Sequence, residues 1–436
     1  MILEKNKIFA VFVFVYIFIC VSNAWSQENS EKNWPENVIY TNEKPFNMIL
    51  VDKNTQKLFL MEKKDETSFE KIFELNCSTG KKKGDKVLEG DARTPEGVYY
   101  VTGHYPEKYL SPVYGSRAFT LDYPNYIDKT QGRNGYNIWI HGTDQKLLEA
   151  RTTNGCVALA NEDIDKLENK IKIGKTPVLI VKNLKFSTKD NVLEKVGSEL
   201  LAFFKNWIDS YEKGTYHNYL SFYSPDYLPD INWWPGWKKL RNDLENLEID
   251  PEYVNIFKES ENLYTIWFDI KLSLKNRHVN TGKRKLFIKK EEGGFSVFGD
   301  IYMDDKESFD IVSAAEKLKK EVFFEENIKK LITEWKESWS DKNIDKYSGF
   351  YASSFYSDGK SKNEWIMYKK RLNRKYDYIN IEIDNLEIRK KGETAKAVFF
   401  QKYDSSGFET TGHKTLVLKQ EDGEWKILRE IWRKAG

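Results

Sequence analysis

The chain of 436 residues is longer than one compact core accommodates, so two or three domains are expected. Its 69 Lys and Arg are balanced by 67 Asp and Glu, for a net charge of +2, with the signs mixed along the sequence. That balance excludes a broad basic face that tracks a nucleic-acid backbone, and no nucleic-acid partner is expected.

Lys5 and Lys7 precede an uncharged run from Ile8 to Val21, and Ser22, Asn23 and Ala24 follow. Charge, apolar run and small-x-small site come in the order of a secretory signal. As a helix the run would reach about 21 Å, short of the roughly 30 Å hydrocarbon core, so a cleaved signal over residues 1–24 is expected. Bulky Phe18 and Ile19 argue against lipid attachment at Cys20. The mature chain is expected in the periplasm or cell envelope. There Cys77 and Cys156 are either bridged to each other or free, and only a free Cys156 can act as a nucleophile.

After a segment over 25–45, residues 46–62 read as a hairpin, two apolar runs split by the turn-forming Asp52–Gln56 stretch. Short strands follow in "FEKIFELNC", "EGVYYVTG", "AFTLDY", "YNIWIHG" and "TPVLIVK". One helix is expected near 161–171, with Asn161 as N-cap and Glu162, Asp163 and Asp165 at its positive end. Together these make a mainly β domain over 46–185.

The period then changes. Val192, Val196, Leu200, Phe203, Trp207 and Tyr211 are spaced for one helix face and open a domain over 190–305. A charged stretch over 304–320 separates it from a third domain over 322–436, opened by Phe324, Ile328, Leu331, Trp335 and Trp339. Trp207 aligns with Trp335, Phe222 and Tyr223 with Phe350 and Tyr351, and Trp237 with Trp365, so a tandem repeat is expected. Each copy runs from helix through an aromatic-rich turn to long alternating strands. That order resembles the nuclear transport factor 2-like (SnoaL-like) superfamily, which implies two α+β cone-shaped domains with helices on a curved antiparallel sheet. Three tryptophans in "INWWPGW" at 231–237 either stack on a glycan or small ligand at the mouth of such a cone or pack beneath the first helix.

The candidate chemistry lies between 141 and 156. A free thiol, with an ordinary pKa of about 8.5, is mostly protonated at neutral pH, so a nucleophilic cysteine needs a base. His141 ends the alternating run "YNIWIH" beside Gly142, and Cys156 follows Gly155 at the start of "CVALAN". Two neighbouring strand ends joined by a polar returning loop would bring imidazole and thiol to one edge. The N–H groups of Gly155 and Cys156 are the expected oxyanion donors, and the Gly142 carbonyl the expected partner orienting the imidazole. His104, His217, His278 and His413 are scattered without ligand spacing, so neither metal nor cofactor is expected.

"IHGT" followed by "TTNGCVALANEDIDKL", with "STGKKKGDKVLEGDARTPEGVYYV" upstream, resembles the L,D-transpeptidase catalytic (YkuD) domain across about residues 46–182. The resemblance implies a YkuD-type β-sandwich, with Cys156 as nucleophile, His141 as base, Thr153 as a hydroxyl near the thiol and Gly155 behind the oxyanion. Many members have histidine where this chain has Asn154 and arginine where it has Ala158; Arg151 is the candidate replacement for that charge, or else a solvated loop residue. The implied substrate is the peptidoglycan tetrapeptide stem, cleaved before its terminal D-residue through a cysteine thioester. Transfer to an amine would make an L,D-transpeptidase and transfer to water an L,D-carboxypeptidase. A non-catalytic wall-binding scaffold is the alternative of a different class.

Overall fold

The computed structural model describes residues 33–145, 148–303 and 311–435, and the expected signal at 1–24 lies outside the described residues. Among the described residues no helix is long and apolar enough to cross a membrane. The chain divides into two compact units, one of residues up to 273 with 278–314, the other of 274–277 with 315–436.

The first unit begins with an eight-stranded sheet in the order Phe69–Asn76, Lys57–Lys63, Asn47–Asp52, Pro177–Val181, Gly97–Pro106, Arg117–Leu121, Trp139–His141, Val157–Ala158. Gly97 to Tyr100 pair with Ile180 to Pro177, whereas Val101 to Pro106 pair with Leu121 to Arg117. A register shift between Val101 and Gly103 marks the change of partner. That bulge lets one continuous sheet curl around an apolar interior containing Ile49, Leu58, Tyr99, Ile140, Val157 and Ile180. Each such fully buried side chain contributes roughly 1.5–3 kcal/mol.

The same unit continues with helices Ser198–Lys213 and Trp234–Asp243 on an antiparallel sheet of Glu248–Lys258, Leu263–Leu274, Arg277–Glu291 and Gly294–Tyr302. Val38–Thr41, from the segment ahead of the first domain, is this sheet's fifth strand, with Thr41 opposite Asn255 and their side chains 2.6 Å apart. It covers an edge that would otherwise present unpaired backbone groups. A π-helical turn over Leu193–Gly197 precedes the long helix. Val192, Val196, Leu200, Trp207 and Tyr211 are buried as expected, and Phe204 is buried where Phe203, half-buried, was expected.

Beneath these helices, Trp207 Nε1 donates to the Tyr223 hydroxyl at 3.3 Å, and Tyr223 donates to Asp300 at 2.7 Å. Arg284 pairs with Asp300 at 2.5 Å, so this buried carboxylate has a cation as well as a phenol. Trp237 and Trp234 are buried, and Trp237 Nε1 donates to the Tyr211 carbonyl at 2.9 Å. Two of the three tryptophans of 231–237 are therefore buried, Trp237 against the first helix as the second alternative had it and Trp234 against Tyr216 and Tyr219. Trp233 is half-buried and lines a cavity of about 640 Å³ with Arg284 and Asp300. Within this unit the two sheets are joined through Val98 N–H donating to Glu259 at 2.7 Å, and the first part meets the second again through Tyr126 donating to the Phe298 carbonyl at 2.7 Å.

In the second unit, helix Lys362–Lys375 accompanies a four-stranded antiparallel sheet of Ile379–Lys391, Thr394–Ser405, Phe408–Glu421 and Glu424–Lys434. Trp335 Nε1 donates to Tyr351 at 2.9 Å, Tyr351 donates to Glu430, and Lys414 pairs with Glu430 at 2.5 Å. The helix carrying Trp335 spans Ile311–Ser340, so the charged stretch expected to separate two domains is helical from Ile311 onward. Buried Ala314, Ala315, Leu318 and Val322 give that stretch an apolar face within its charges.

Candidate active site

Strand Trp139–His141 lies parallel to Val157–Ala158, with Ile140 opposite Val157 and His141 opposite Ala158. Ile140 and Val157 are fully buried, so the alternation turns Trp139, His141 and the preceding Cys156 to the other face. The two candidate residues are thus diagonal neighbours on adjoining strand ends. The Cys156 thiol is half-buried and directs its hydrogen to the Asn137 carbonyl at 3.4 Å, not to the imidazole.

His141 is buried, and its Nδ1 lies 2.5 Å from the Gly142 carbonyl oxygen. A carbonyl only accepts, so Nδ1 carries the proton and Nε2 keeps its lone pair. Burial pushes the imidazole below its ordinary pKa, opposed by that carbonyl. Burial pushes the Cys156 thiol above its ordinary value, opposed by a bond to the Trp139 backbone and by the Lys86 charge. Both directions favour a resting pair of neutral thiol and neutral imidazole, unlike the thiolate-imidazolium pair a fully activated cysteine would require.

The turn after His141 is built around Asn161. Its Oδ1 accepts from Ser116 N–H at 3.0 Å and Thr143 N–H at 3.1 Å, and a Cβ on Gly142 would overlap it. Asn161 was expected as N-cap of the following helix, but Ala160 holds that position and Asn161 is the first helical residue, over Asn161–Leu167. Asp165 is likewise engaged: Ser116 and Arg117 donate to it at 2.8 and 2.6 Å, fastening the helix to the strand beside His141.

The turn before Cys156 is held by Thr153. Its hydroxyl accepts from Gly155 N–H at 3.1 Å and donates to the Cys156 carbonyl at 2.7 Å. The Gly155 N–H, expected as an oxyanion donor, is therefore occupied. Gly155 has φ +142°, and a Cβ there would lie 3.0 Å from the Arg93 carbonyl oxygen, so glycine is needed for both the turn and its close neighbour. Asn154 accepts from Lys81 at 3.1 Å on the surface. Arg151 donates to the Lys53 carbonyl at 2.6 Å, and its N–H bonds Gln56 at 3.1 Å, which fixes the base of the loop.

Several contributors carry no periodic signal in the sequence. Ser78 and Ala158 exchange backbone bonds of 2.9 and 2.8 Å, bracing the nucleophile strand. The Thr94 hydroxyl accepts from Gly80 N–H at 2.8 Å, and buried Lys53 reaches the Thr94 carbonyl at 2.5 Å and Glu96 at 3.0 Å. Buried Lys86 pairs with Asp91 at 3.0 Å. Tyr114 meets the His141 ring edge to face, with centroids 5.1 Å apart. Cys77 and Cys156, the two cysteines among the described residues, are both free; Cys77 belongs to the core and burial pushes its thiol up to about 12. Among the described residues no cluster of His, Cys, Asp and Glu is arranged to hold a metal.

Residues 47–180 match the family model described as the L,D-transpeptidase catalytic domain, and residues 327–431 match the Cds6 C-terminal NTF2-like domain. No curated protein matches the chain. Among solved structures, Bd1075 of Bdellovibrio bacteriovorus is 21% identical, with a TM-score of 0.32, over 92% of this chain and 99% of that one. The helical cell shape determining protein Pgp2 of Campylobacter jejuni is 27% identical, with a TM-score of 0.48, over 64% of this chain and 98% of that one. An NTF2-like protein of unknown function from Pseudomonas putida KT2440 is 16% identical, with a TM-score of 0.24, over 26% of this chain and 86% of that one.

Proposed function

From a chain whose residues 47–180 belong to the L,D-transpeptidase catalytic domain family and whose residues 327–431 belong to an NTF2-like family, we propose a peptidoglycan L,D-transpeptidase that works through a Cys156 thioester. The observation that carries this reading is the parallel pairing of the His141 strand with the strand that Cys156 opens, with Nδ1 held by Gly142. Nε2 is then the base, and it takes the thiol proton as sulfur attacks rather than beforehand.

The attacked carbonyl is that of the L-centre of diaminopimelate in a tetrapeptide stem. The sulfur–carbon bond forms, the bond to the terminal D-alanine breaks, and His141 passes its proton to the departing amine. The Cys156 N–H is the backbone donor for the developing oxyanion, while Thr153 sets the turn by occupying the Gly155 N–H. Asn154 lies at the rim for the stem, and Arg151 supports the loop from beneath. An amine acceptor from a neighbouring stem completes a cross-link, and water completes an L,D-carboxypeptidase reaction; both share every step up to the thioester.

Export to the compartment that holds peptidoglycan, and duplication of the helix-and-sheet domain, belong to the same reading. Incubating the protein with disaccharide tetrapeptide tests it: a cross-linked dimer with free D-alanine is expected. Free D-alanine with tripeptide alone would assign the carboxypeptidase, and no D-alanine release would contradict the enzyme reading. Cys156→Ala separates enzyme from scaffold, because a scaffold keeps its cellular effect without the sulfur.

A further inference from the structure

Trp139 shares its strand face with His141 and sits in an aromatic row. Tyr105 stacks on Trp139 with centroids 5.9 Å apart and planes 19° apart; Trp139 meets Tyr114 at 4.9 Å; Tyr114 meets His141 at 5.1 Å. The row begins in solvent, since Tyr105 is 44% exposed, and ends on the buried imidazole. Aromatic surface left in water beside a reacting centre is costly unless a ligand covers it.

Building on the reading above, we propose that this row is a saccharide subsite on which the N-acetylated sugar bearing the stem peptide stacks, with Tyr105 as its outer platform. A pyranose presents one face of C–H groups and an edge of hydroxyls, and the C–H face complements the electron-rich face of an aromatic ring. Because the row leads to His141, a sugar seated on it belongs to a stem that reaches the reacting centre. Three stem residues and the lactyl ether that joins them to the ring separate the scissile carbonyl from the sugar, and extended these four units reach roughly 14 Å. The ring-to-ring steps from His141 to Tyr105, of 5.1, 4.9 and 5.9 Å, bound the row at a similar span, so the sugar arrives at the outer rings while the carbonyl lies at Cys156.

The test compares disaccharide tetrapeptide with the same tetrapeptide lacking sugar. A single stacking contact corresponds to about two- to tenfold in affinity. The wild-type kcat/KM ratio between the two substrates should favour the disaccharide form by about that factor. Tyr105→Ala should bring the ratio close to one, and Tyr105→Phe should retain it. A merely destabilised variant loses activity on both substrates and keeps the ratio. An equal kcat/KM for both substrates in wild type, or an unchanged ratio in Tyr105→Ala, overturns the subsite. If wild type turns over neither substrate, the functional reading fails separately. Titrating Cys156→Ala protein with both ligands then decides: tighter binding of the sugar-bearing form, lost on adding Tyr105→Ala, supports the subsite, and equal affinities overturn it.

Discussion

The Nδ1 of His141 faces the carbonyl oxygen of its own neighbour, Gly142, at 2.5 Å. That bond fixes the tautomer and leaves Nε2 for proton transfer, while burial lowers the imidazole pKa and raises that of the Cys156 thiol. Two pH profiles follow. The acid limb of kcat/KM should lie below the ordinary histidine value of about 6.5, because only neutral His141 accepts a proton. Alkylation of the free enzyme at Cys156 should titrate above the ordinary cysteine value of about 8.5. An acid limb above the histidine value, or alkylation already complete at neutral pH, would indicate a preformed ion pair instead.

Gly142 and Asn161 should be energetically coupled. Gly142→Ala places a methyl group on Asn161 Oδ1 and disturbs its bonds to Ser116 and Thr143, for a cost of about 1–3 kcal/mol. Asn161→Ala loses both bonds at about the same cost, and it makes room for that methyl. The double variant should therefore be destabilised by less than the sum of the single variants. Urea unfolding of the four proteins measures the coupling, and strict additivity would contradict it.

Glu259 joins the two sheets of the first unit through Val98 N–H, and burial pushes its carboxyl up to about 7, opposed by the Lys285 charge and by Thr265. The folded state therefore holds a proton that the unfolded chain, titrating near the ordinary 4.5, has released. Stability from this group is full below about pH 4.5 and falls as pH rises towards 7, by about 3 kcal/mol. Glu259→Gln keeps an acceptor for Val98 and removes the titration. The stability difference between wild type and Glu259→Gln should change across that window in unfolding measurements at pH 5 and 8; a constant difference would show that Glu259 is not linked to folding.

The two cysteines should differ in reactivity. Cys156 is half-buried, whereas Cys77 is 3% exposed with a thiol pKa of about 12. Iodoacetamide on the native protein should label Cys156, and Cys77 only after unfolding, as read by peptide mass spectrometry. Equal labelling of both in the native state would contradict the packing around Cys77.

The strands around the site were legible because each alternating run is fenced by glycine, proline or aspartate, and His141 and Cys156 stood out beside their glycines. What lay hidden depends on contacts between distant segments. Val38–Thr41 finds its partner at Asn255 to Phe257, across a separation no local pattern encodes. Lys86 lies in a lysine-rich run that carries no apolar pattern, yet its ammonium is buried against Asp91. Asn161 is of a residue type that caps helices, but Ala160 holds the N-cap position, and the Asn161 carboxamide bonds the Gly142 loop instead. Gly155 was expected as an oxyanion donor, and the Thr153 hydroxyl, two residues earlier, bonds its N–H. The period of the helix containing Trp207 was right, but Phe204, four residues after Leu200, is buried in place of Phe203, three after it, because both spacings fall on one helix face.

The thioester itself is the most direct measurement. Mass spectrometry of the protein quenched during turnover of disaccharide tetrapeptide should find Cys156 carrying the stem less its terminal D-alanine, and Cys156→Ala should yield neither adduct nor released D-alanine. Release of D-alanine by Cys156→Ala at the wild-type rate, or an adduct on any other residue, would contradict the account.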